Sequence, residues 1–297
     1  MTPLLLGTLG LALAGPVPAV LGRSTWLLRA PRAGVVLWQS LALAAVLAAL
    51  GSGLSTTVWL ASPQPPDNWR WALPVVALGM TLVVATRLAW SVARVALDTR
   101  ARRRHHRVLV DVLGGRSGDE PALRILAEDT PVAYCLPAVR NARVVLSQGA
   151  LARLDDEGLA AVMAHEGAHV RARHDLVLEA FTALRDAFPW GTRSELPLRQ
   201  SALLVEMLAD DVARSRVGAA PLARALVVLA DRPGPDGTLA AGAEARSVSL
   251  RLDRLAQPQR PHRLASLSAY SAAAVVLVVP TVLVAVPWLV HTWGLLH

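Results

Sequence analysis

LAAVMAHEGAH, residues Leu159 to His169, is the stretch of sequence that decides the fold. Its last five residues form an HExxH pentapeptide on a predicted helix. Successive helical residues are about 100° apart, so His165 and His169 lie one turn apart on one face with Glu166 beside them. Two imidazoles can then bind one ion while a carboxylate reaches its water. This spacing predicts the chemistry of zinc-dependent hydrolysis.

The competing interpretation is a solvated helix face that carries two incidental histidines. Residues Ala160 to Met163, which precede the motif, are all apolar and indicate a buried helix. A buried His-Glu-His cluster without a metal ion would carry a high desolvation cost. Asp155 and Asp156 offer an N-cap for this helix, which is predicted to run through His169. The sequence therefore favours a metal site.

A catalytic zinc ion has three protein ligands and one open position, so a third ligand must come from elsewhere. The single cysteine, Cys135, does not supply it convincingly. Glu206 and Asp210 lie one turn apart on a second apolar helix, predicted over about Leu198 to Arg216. We interpret Glu206 as the third ligand and Asp210 as the acceptor for the ring N–H of a ligating histidine. The alternative is a solvated acidic face, on which Asp211 would point outward.

A predicted β-hairpin precedes the HExxH motif, with strands over Thr130 to Leu136 and Arg143 to Ser147. Hairpin, HExxH and the later Glu-x-x-Ala-Asp of Glu206 to Asp210 together resemble the integral-membrane gluzincin peptidases. The chain is most similar to the metallopeptidase domain of the BlaR/MecR antirepressor type, especially its short actinobacterial relatives. HtpX-like and CAAX prenyl endopeptidases are neighbours. The resemblance covers about Val108 to Ala230 and the membrane layout.

This resemblance implies a role for each matching residue. One Zn²⁺ per chain is bound by His165, His169 and Glu206, with Glu166 as the catalytic base and Asp210 as a supporting residue. The family usually has Asp nine residues after the first ligand. This chain has His174 there with Asp175 beside it, and we assign both residues a supporting role.

The edge of the hairpin is expected to bind the substrate as an added strand. We expect Val132, Ala133 and Tyr134 to contact the substrate, mainly through the main chain, which predicts loose sequence specificity. The hairpin has Pro137-Ala138 where relatives commonly have Pro-Gly, so a different turn is expected over Pro137 to Asn141.

The composition is that of a membrane protein, with 54% hydrophobic residues, 18% charged residues and a mean hydropathy of +0.42. A disordered chain is excluded. The lone cysteine excludes a disulfide framework, a cysteine-based zinc knuckle and an iron–sulfur cluster. All 30 basic residues are arginine, which we attribute to a compositional bias of the proteome and not to phosphate recognition.

Four stretches are apolar enough to span a membrane, at about residues 2–22, 34–60, 71–93 and 264–290. The fold class expected is a mostly α membrane protein with four transmembrane helices. It also carries a cytoplasmic α+β gluzincin metallopeptidase domain with a small β-hairpin or sheet. Residues 1–97 are predicted to hold three of the helices and residues 98–263 the zinc metallopeptidase domain. Residues 264–297 are predicted to hold the fourth helix and a short tail.

Arginines in the short flanks predict the orientation. Arg23, Arg29 and Arg32 lie between the first two spans, and the run Arg100 to Arg107 follows the third. Both flanks are expected to face the cytoplasm of a multi-pass plasma-membrane protein, with the catalytic domain cytoplasmic and both termini outside. Clustered arginines also attract nucleic acid. The inside-positive bias and the attraction of anionic lipids explain this run better. The expected partner is therefore the bilayer, and no specific nucleic acid is expected.

The function expected is a membrane-anchored zinc endopeptidase that acts on intracellular or membrane proteins. Two roles remain open: regulation, such as cutting a transcriptional repressor, and HtpX-like quality control of membrane proteins. Only seven residues follow the fourth span. The external penicillin-binding sensor of the full antirepressors is therefore expected to be absent, which weakens the regulatory role.

A non-catalytic membrane scaffold is the remaining alternative. It is supported by His174 and by Gly167, which weakens the helix by about 1 kcal/mol relative to Ala. Pro233 to Ala243 is rich in Gly and Pro and predicts a mobile loop, either a cover for the site or a linker.

Overall fold

The computed structural model describes residues 2–60, 72–116, 122–138, 142–188, 194–230, 239–258 and 262–296. The chain forms two compact units. The first comprises Met1–Val95, Leu178–Ser201 and His262–His297, and the second comprises Ala96–Val177 and Ala202–Pro261. The domain boundaries expected from the sequence, after residues 97 and 263, stay a prediction.

Within the described residues, four helical segments are long and apolar enough to cross a membrane, as the sequence predicts. The first candidate span, Pro3–Leu21, contains α1 (Thr2–Ala14) and α2 (Pro16–Leu21), which are separated at Gly15. Pro16 is suited to the start of α2 because the N–H groups of a first helical turn have no partner within the helix, so the N–H that proline lacks is not missed. The others are α3 (Pro31–Leu60), α4 (Ala72–Leu113) and α11 (Arg263–Leu296).

Helix α4 is much longer than the predicted span of residues 71–93. Its 42 residues correspond to about 63 Å, twice the roughly 30 Å of a hydrocarbon core. No Gly or Pro occurs between Met80 and Leu113. The helix therefore continues through the basic run Arg100 to Arg107, and it ends where Gly114 donates its N–H to the carbonyl of Val110.

Small residues let the helices of the first unit approach closely. A Cβ added at Gly10 on α1 would lie 3.4 Å from the backbone nitrogen of Ala49 on α3. A Cβ at Gly51 on α3 would overlap Val284 of α11. Helix α3 thus contacts α1 through one glycine and α11 through another.

A four-stranded sheet begins the second unit, in the order β1-β2-β4-β3. Its strands are β1 (Gly115–Arg116), β2 (Leu123–Leu126), β3 (Ala133–Leu136) and β4 (Arg143–Ser147). The pair β3 and β4 is antiparallel, as the predicted hairpin requires, and β2 joins β4 in parallel. Residues 139–141 of the predicted turn lie outside the described residues.

The two faces of the sheet contact different helices. Leu136 and Val145 pack against Val110 of α4 on one face. On the other face, the cluster that includes Ala133 and Leu146 packs against Val162 and Ala225. The second face therefore packs against the helix that holds the HExxH motif.

Six helices follow the sheet in the described part of the second half of the chain before α11, and two of them, at residues 148–153 and 174–187, were not predicted from the sequence. They are α5 (Gln148–Arg153), α6 (Asp156–Ala172), α7 (His174–Ala187), α8 (Leu196–Val217), α9 (Ala219–Ala230) and α10 (Leu239–Ala256). Asp155 caps α6 by accepting a 2.7 Å hydrogen bond from the N–H of Gly158. Part of the predicted loop Pro233 to Ala243 is wrong, because α10 begins at Leu239. Residues 233–238 lie outside the described part of the chain.

Candidate metal centre

Helix α6 presents the two histidines of the motif toward each other. The Nε2 atoms of His165 and His169 are 3.2 Å apart. His165 is buried, with 8% of its surface exposed, and His169 is partly buried. One helical turn therefore places two imidazole nitrogens at a common point, as the spacing predicts.

Helix α8 brings Glu206 to the same point. Its Oε2 lies 3.4 Å from Nε2 of His165, and its Oε1 lies 3.4 Å from Nε2 of His169. His165, His169 and Glu206 form a group that could hold a metal ion.

The donor set fits zinc in type and in spacing. Two imidazoles and a carboxylate are common ligands of catalytic zinc. Tetrahedral ligands at about 2.0–2.1 Å from zinc lie about 3.3 Å from one another. The two Nε2 atoms are 3.2 Å apart, and each lies 3.4 Å from a different oxygen of Glu206, so each separation is close to that value.

The protonation of the three residues differs because their surroundings differ. Burial alone lowers the pKa of His165, but hydrogen bonds and charges from Asp210 and Glu206 raise it to about 9. Burial lowers the pKa of His169 to about 4. Burial would raise the pKa of Glu206, but His165 and Arg251 lower it to about 2. Near neutral pH, His169 and Glu206 are thus in the protonation states that bind a metal.

Glu166 lies beside this cluster and next to strand β3. Burial raises the pKa of its carboxyl group above the ordinary range, while the charge of His165 and hydrogen bonds from the thiol and main chain of Cys135 act in the opposite direction. A carboxylate with a raised pKa is a better proton acceptor at neutral pH than an ordinary glutamate. Burial and the Glu166 carboxylate also raise the pKa of the Cys135 thiol, which stays protonated and donates.

Asp210 supports the first histidine. Its Oδ1 lies 3.1 Å from Nδ1 of His165, and its side chain is 2% exposed. A carboxylate on the far nitrogen of a ligating imidazole fixes the tautomer that leaves Nε2 free to bind metal. The supporting role of Asp210 stays a prediction, and the structure places its carboxylate next to Nδ1 of His165.

Arg251 is a component of the site that the sequence reasoning missed. It comes from α10, is 8% exposed, and holds Asp210 by two hydrogen bonds of 2.7 Å. Its Nη1 lies 3.0 Å from Oε2 of Glu206. A buried acid, Asp210, on an apolar helix does indicate that a buried partner is needed. Nothing in the pattern shows which of 30 arginines supplies it.

His174, nine residues after His165, contacts the candidate ligand His169. Nδ1 of His174 lies 3.1 Å from Nδ1 of His169, and the two rings are nearly perpendicular, at 87°. Asp175 instead pairs with Arg103 at 2.9 Å and with Arg173 at 3.1 Å. His174 thus contacts the candidate metal centre, and Asp175 anchors the start of α7.

Strand β3 is an edge of the sheet formed by the described strands. Val132 uses both backbone groups internally, since its N–H donates to Oγ of Ser147 and its carbonyl accepts from the N–H of Ser147, at 2.9 Å each. Because antiparallel pairs alternate, Ala133 and Cys135 turn their backbone groups to the free edge. Tyr134 places its hydroxyl 2.9 Å from Nε2 of His106.

A cavity of about 340 Å³ is lined both by this edge and by the candidate metal ligands. Ala133, Tyr134 and Cys135 line it from the strand, whereas Val132 does not. The other lining residues come from the helices: Val162, His165, Glu166, His169, Glu206, Leu222, Ala225, Leu226, Leu229, Ala230, Val248 and Arg251. An extended peptide at the edge would therefore run past Glu166.

Comparison with known families identifies the class of this region. Residues 98–234 match the family model described as Peptidase family M48, so the chain carries a peptidase M48 domain. Peptidases of this family are metal-dependent, in agreement with the donor set. The match supports a membrane-type zinc metallopeptidase, and the nearer likeness to the BlaR/MecR type stays a prediction. No curated protein and no solved structure matches the chain.

Proposed function

We propose that this protein is a membrane-anchored, zinc-dependent endopeptidase. The observation that carries the proposal is the convergence of His165, His169 and Glu206 at separations of 3.2 to 3.4 Å. Glu166 lies beside them and the free edge of β3 borders the same cavity. The M48 match supports a peptidase, and the four apolar helices support a membrane anchor.

In this proposal the metal and the residues have separate tasks. Zinc held by the three donors supplies Lewis acidity, which polarises a carbonyl group and acidifies water. Glu166 accepts a proton from the attacking water and later delivers it to the leaving nitrogen of the cleaved bond. Asp210 orients the imidazole of His165, and His174 orients that of His169, each by contacting the Nδ1 atom of the ring.

The substrate is proposed to bind as an added strand on β3. The outward backbone groups of Ala133 and Cys135 would pair with an extended peptide. Glu166 lines the same cavity as Ala133 and Cys135. The peptide backbone would therefore lie within reach of the proposed base.

The critical experiment compares Glu166→Gln with Glu157→Gln in the full-length protein. Both residues lie on α6, but Glu157 is exposed and belongs to its first turn. Glu166→Gln is expected to bind one zinc ion per chain and to lose cleavage of an unfolded protein substrate. Glu157→Gln is expected to keep both properties. Full activity of Glu166→Gln overturns the assigned base.

The scaffold alternative makes the opposite prediction for the wild-type protein. A scaffold would contain no stoichiometric metal and would cut nothing. Elemental analysis, combined with cleavage of a generic unfolded substrate, therefore separates the two functions.

We place the metallopeptidase domain in the cytoplasm of a plasma-membrane protein, with both termini outside. The argument is the arginine excess at Arg23 to Arg32 and at Arg100 to Arg107. A cysteine introduced at Arg102, which is exposed, should resist a membrane-impermeant maleimide in intact cells and react after lysis. Labelling in intact cells would reverse the orientation.

Two biological roles follow from this activity: cutting a transcriptional repressor and quality control of membrane proteins. New protein N-termini in cells that carry the wild type, compared with Glu166→Gln, distinguish them. One or a few defined sites indicate regulation. Many scattered sites in membrane proteins indicate quality control.

A further inference from the structure

Helix α4 crosses one face of the sheet. At its C-terminal end, Asp111 pairs with Arg124 of β2 at 3.0 Å and with Arg143 of β4 at 3.1 Å. Just over one turn earlier, Nε2 of His106 lies 2.9 Å from the hydroxyl group of Tyr134 on β3. The order of the described strands is β1-β2-β4-β3. Followed backward from its end, the helix therefore passes β2 and β4 and reaches β3 at the free edge.

The helix continues past this edge without a break, since no Gly or Pro occurs between Met80 and Leu113. A strand added to β3 would lie about 4.8 Å outside it. One helical turn advances by about 5.4 Å. The part of α4 one turn before His106 therefore lies next to the place of an added strand. Arg102 and Arg103 occupy that part of the helix.

Two arginines share the helical face of His106. At about 100° per residue, Arg102 and Arg103 lie within about 60° of His106 around the helix axis, whereas Arg104 lies about 160° away. Nη1 of Arg103 lies 2.9 Å from Oδ2 of Asp175, whose side chain is 7% exposed, and this contact fixes the guanidinium group. Arg102 is exposed. We call Arg102 and Arg103 the arginine pair.

The side chains of β3 alternate between the two faces of the sheet. Ala133 belongs to the cluster that contains Val162 of α6, whereas Tyr134 packs with Val110 of α4. Residues directly opposite each other on neighbouring strands keep their side chains on the same face. The substrate residue opposite Tyr134 would therefore direct its side chain toward α4 and the arginine pair. Its two neighbours in the substrate would direct theirs toward the metal centre.

From this placement we propose that the enzyme prefers substrates with an acidic side chain on the residue opposite Tyr134, where the arginine pair binds the carboxylate. The inference rests on the proposed peptidase function and names its substrate class. The substrates are extended segments that carry Asp or Glu at one fixed position close to the cut bond. The edge of β3 binds the main chain, and the arginine pair selects one side chain.

The charge of this part of α4 supports the selection of acids. Residues Thr99 to Arg107 contain five arginines and no acidic residue. A guanidinium group matches the geometry of a carboxylate and can donate two parallel hydrogen bonds to it. A Lys or Arg side chain at the same position would meet like charges. Because exposed ion pairs contribute little energy, we expect a graded preference of about three- to tenfold in kcat/KM.

The competing occupant of the arginine pair is an anionic lipid headgroup. The distance along α4 favours the substrate. Arg102 lies nine residues beyond the predicted end of the span at residue 93, which corresponds to about 14 Å of helix. The headgroup layer on one side of a bilayer is only about 5–8 Å thick. The arginine pair therefore lies beyond the headgroups, at the level of the sheet edge.

The test uses the full-length, zinc-loaded protein in a neutral detergent and unstructured peptides that differ only in one residue. Glu or Lys is placed in turn at each position near the cut bond, and kcat/KM and the cut sites are measured by mass spectrometry. For the wild type, Glu at one position should be favoured over Lys about three- to tenfold. Moving the Glu by one residue turns its side chain to the other face and should remove the preference.

Matched variants identify the residue responsible. Arg102→Glu should reverse the preference, so that the Lys peptide is cut faster. Arg104→Glu is the same charge change on the opposite side of the helix and should keep the wild-type order. Arg102→Gln, which covers the case in which Arg102→Glu fails to fold, should bring the two rates closer together. Zinc content, measured independently of activity, should stay at one ion per chain in each variant.

The outcomes separate this inference from the proposed function. Equal kcat/KM for Glu and Lys peptides at every position overturns the inference and leaves the peptidase, with the arginine pair then serving lipid headgroups only. Equal changes in Arg102→Glu and Arg104→Glu also overturn it, because net charge alone would explain them. A zinc-loaded wild type that cuts no peptide overturns the proposed function itself, and the inference falls with it.

Discussion

The guanidinium group of Arg251 binds both carboxylate oxygens of Asp210, through Nε and Nη2 at 2.7 Å each. Its Nη1 reaches Glu206 at 3.0 Å. One buried cation thereby holds the carboxylate behind His165 and the third candidate ligand. Since Arg presents a rigid planar fork, Lys does not reproduce this geometry.

Arg251→Lys should weaken metal binding because Asp210 and Glu206 lose their common partner. We expect zinc affinity to fall about 10- to 100-fold, measured by competition with a chromophoric chelator. Arg254→Lys is the matched control, since Arg254 holds Asp211 from the same helix at 2.6 and 2.9 Å but is half-exposed. Equal losses in both variants would contradict a specific role for Arg251.

The contact of His174 with His169 predicts a second effect on metal affinity. His174→Phe removes the partner of Nδ1 of His169 and should weaken zinc binding about 10- to 100-fold. His174→Asp places a carboxylate near that nitrogen and should bind zinc at least as tightly as the wild type. Wild-type affinity in His174→Phe would show that the contact at 3.1 Å has no part in metal binding.

Metal binding should depend on pH through His165. Its pKa is about 9 in the metal-free protein, so the ion must displace a proton. Zinc affinity should therefore rise by about tenfold per pH unit from pH 7 to about 9 and level off above. His169, whose pKa is lowered to about 4, is neutral throughout this range and adds no slope. Chelator competition at several pH values measures the slope, and a flat profile would refute the proton displacement.

The same residue predicts the stability of the metal-free protein. The folded-state pKa of His165 lies above the ordinary value of 6.5. The contribution of protonated His165 to the free energy of unfolding is fully present below pH 6.5 and is lost as the pH rises through about 9. The Tm of chelator-treated protein should fall over that interval. His165→Gln should remove this part of the pH dependence.

The fold requires a residue without a side chain at position 149. A Cβ there would overlap the backbone of Asp129 and Thr130, which side-chain motion does not relieve. Gly149→Ala should lower the free energy of unfolding by about 1–3 kcal/mol. At Gly115 the nearest atom to an added Cβ is 3.8 Å away, so Gly115→Ala should stay within about 0.5 kcal/mol of the wild type. Thermal unfolding of both variants in detergent tests the difference.

Several features followed from local rules in the sequence. The two histidines converge because a helix repeats every 3.6 residues, and that depends on α6 alone. Glu206 was identifiable because an acid on an apolar helix needs a partner. The four spans follow from length and hydropathy.

Other features depend on contacts between distant segments. Arg251 reaches Asp210 across 41 positions, and no local pattern separates it from the exposed arginines. Strand β2 joins β4 in parallel, a pairing that requires the chain between them to fold back. The length of α4 was missed because the change from apolar to basic residues was interpreted as the end of the helix. Apolar and basic side chains are both compatible with helical hydrogen bonding of the backbone.

The strand addition proposed for the free edge of β3 would limit which proteins can be cut. A folded domain already satisfies its own backbone hydrogen bonds, so it presents no strand to this edge until it opens locally. When opening is fast relative to cutting, the rate follows the population of the open form. A substrate protein whose free energy of opening is lowered by about 1.4 kcal/mol would then be cut about ten times faster. The stability of a protein would thus decide whether it becomes a substrate.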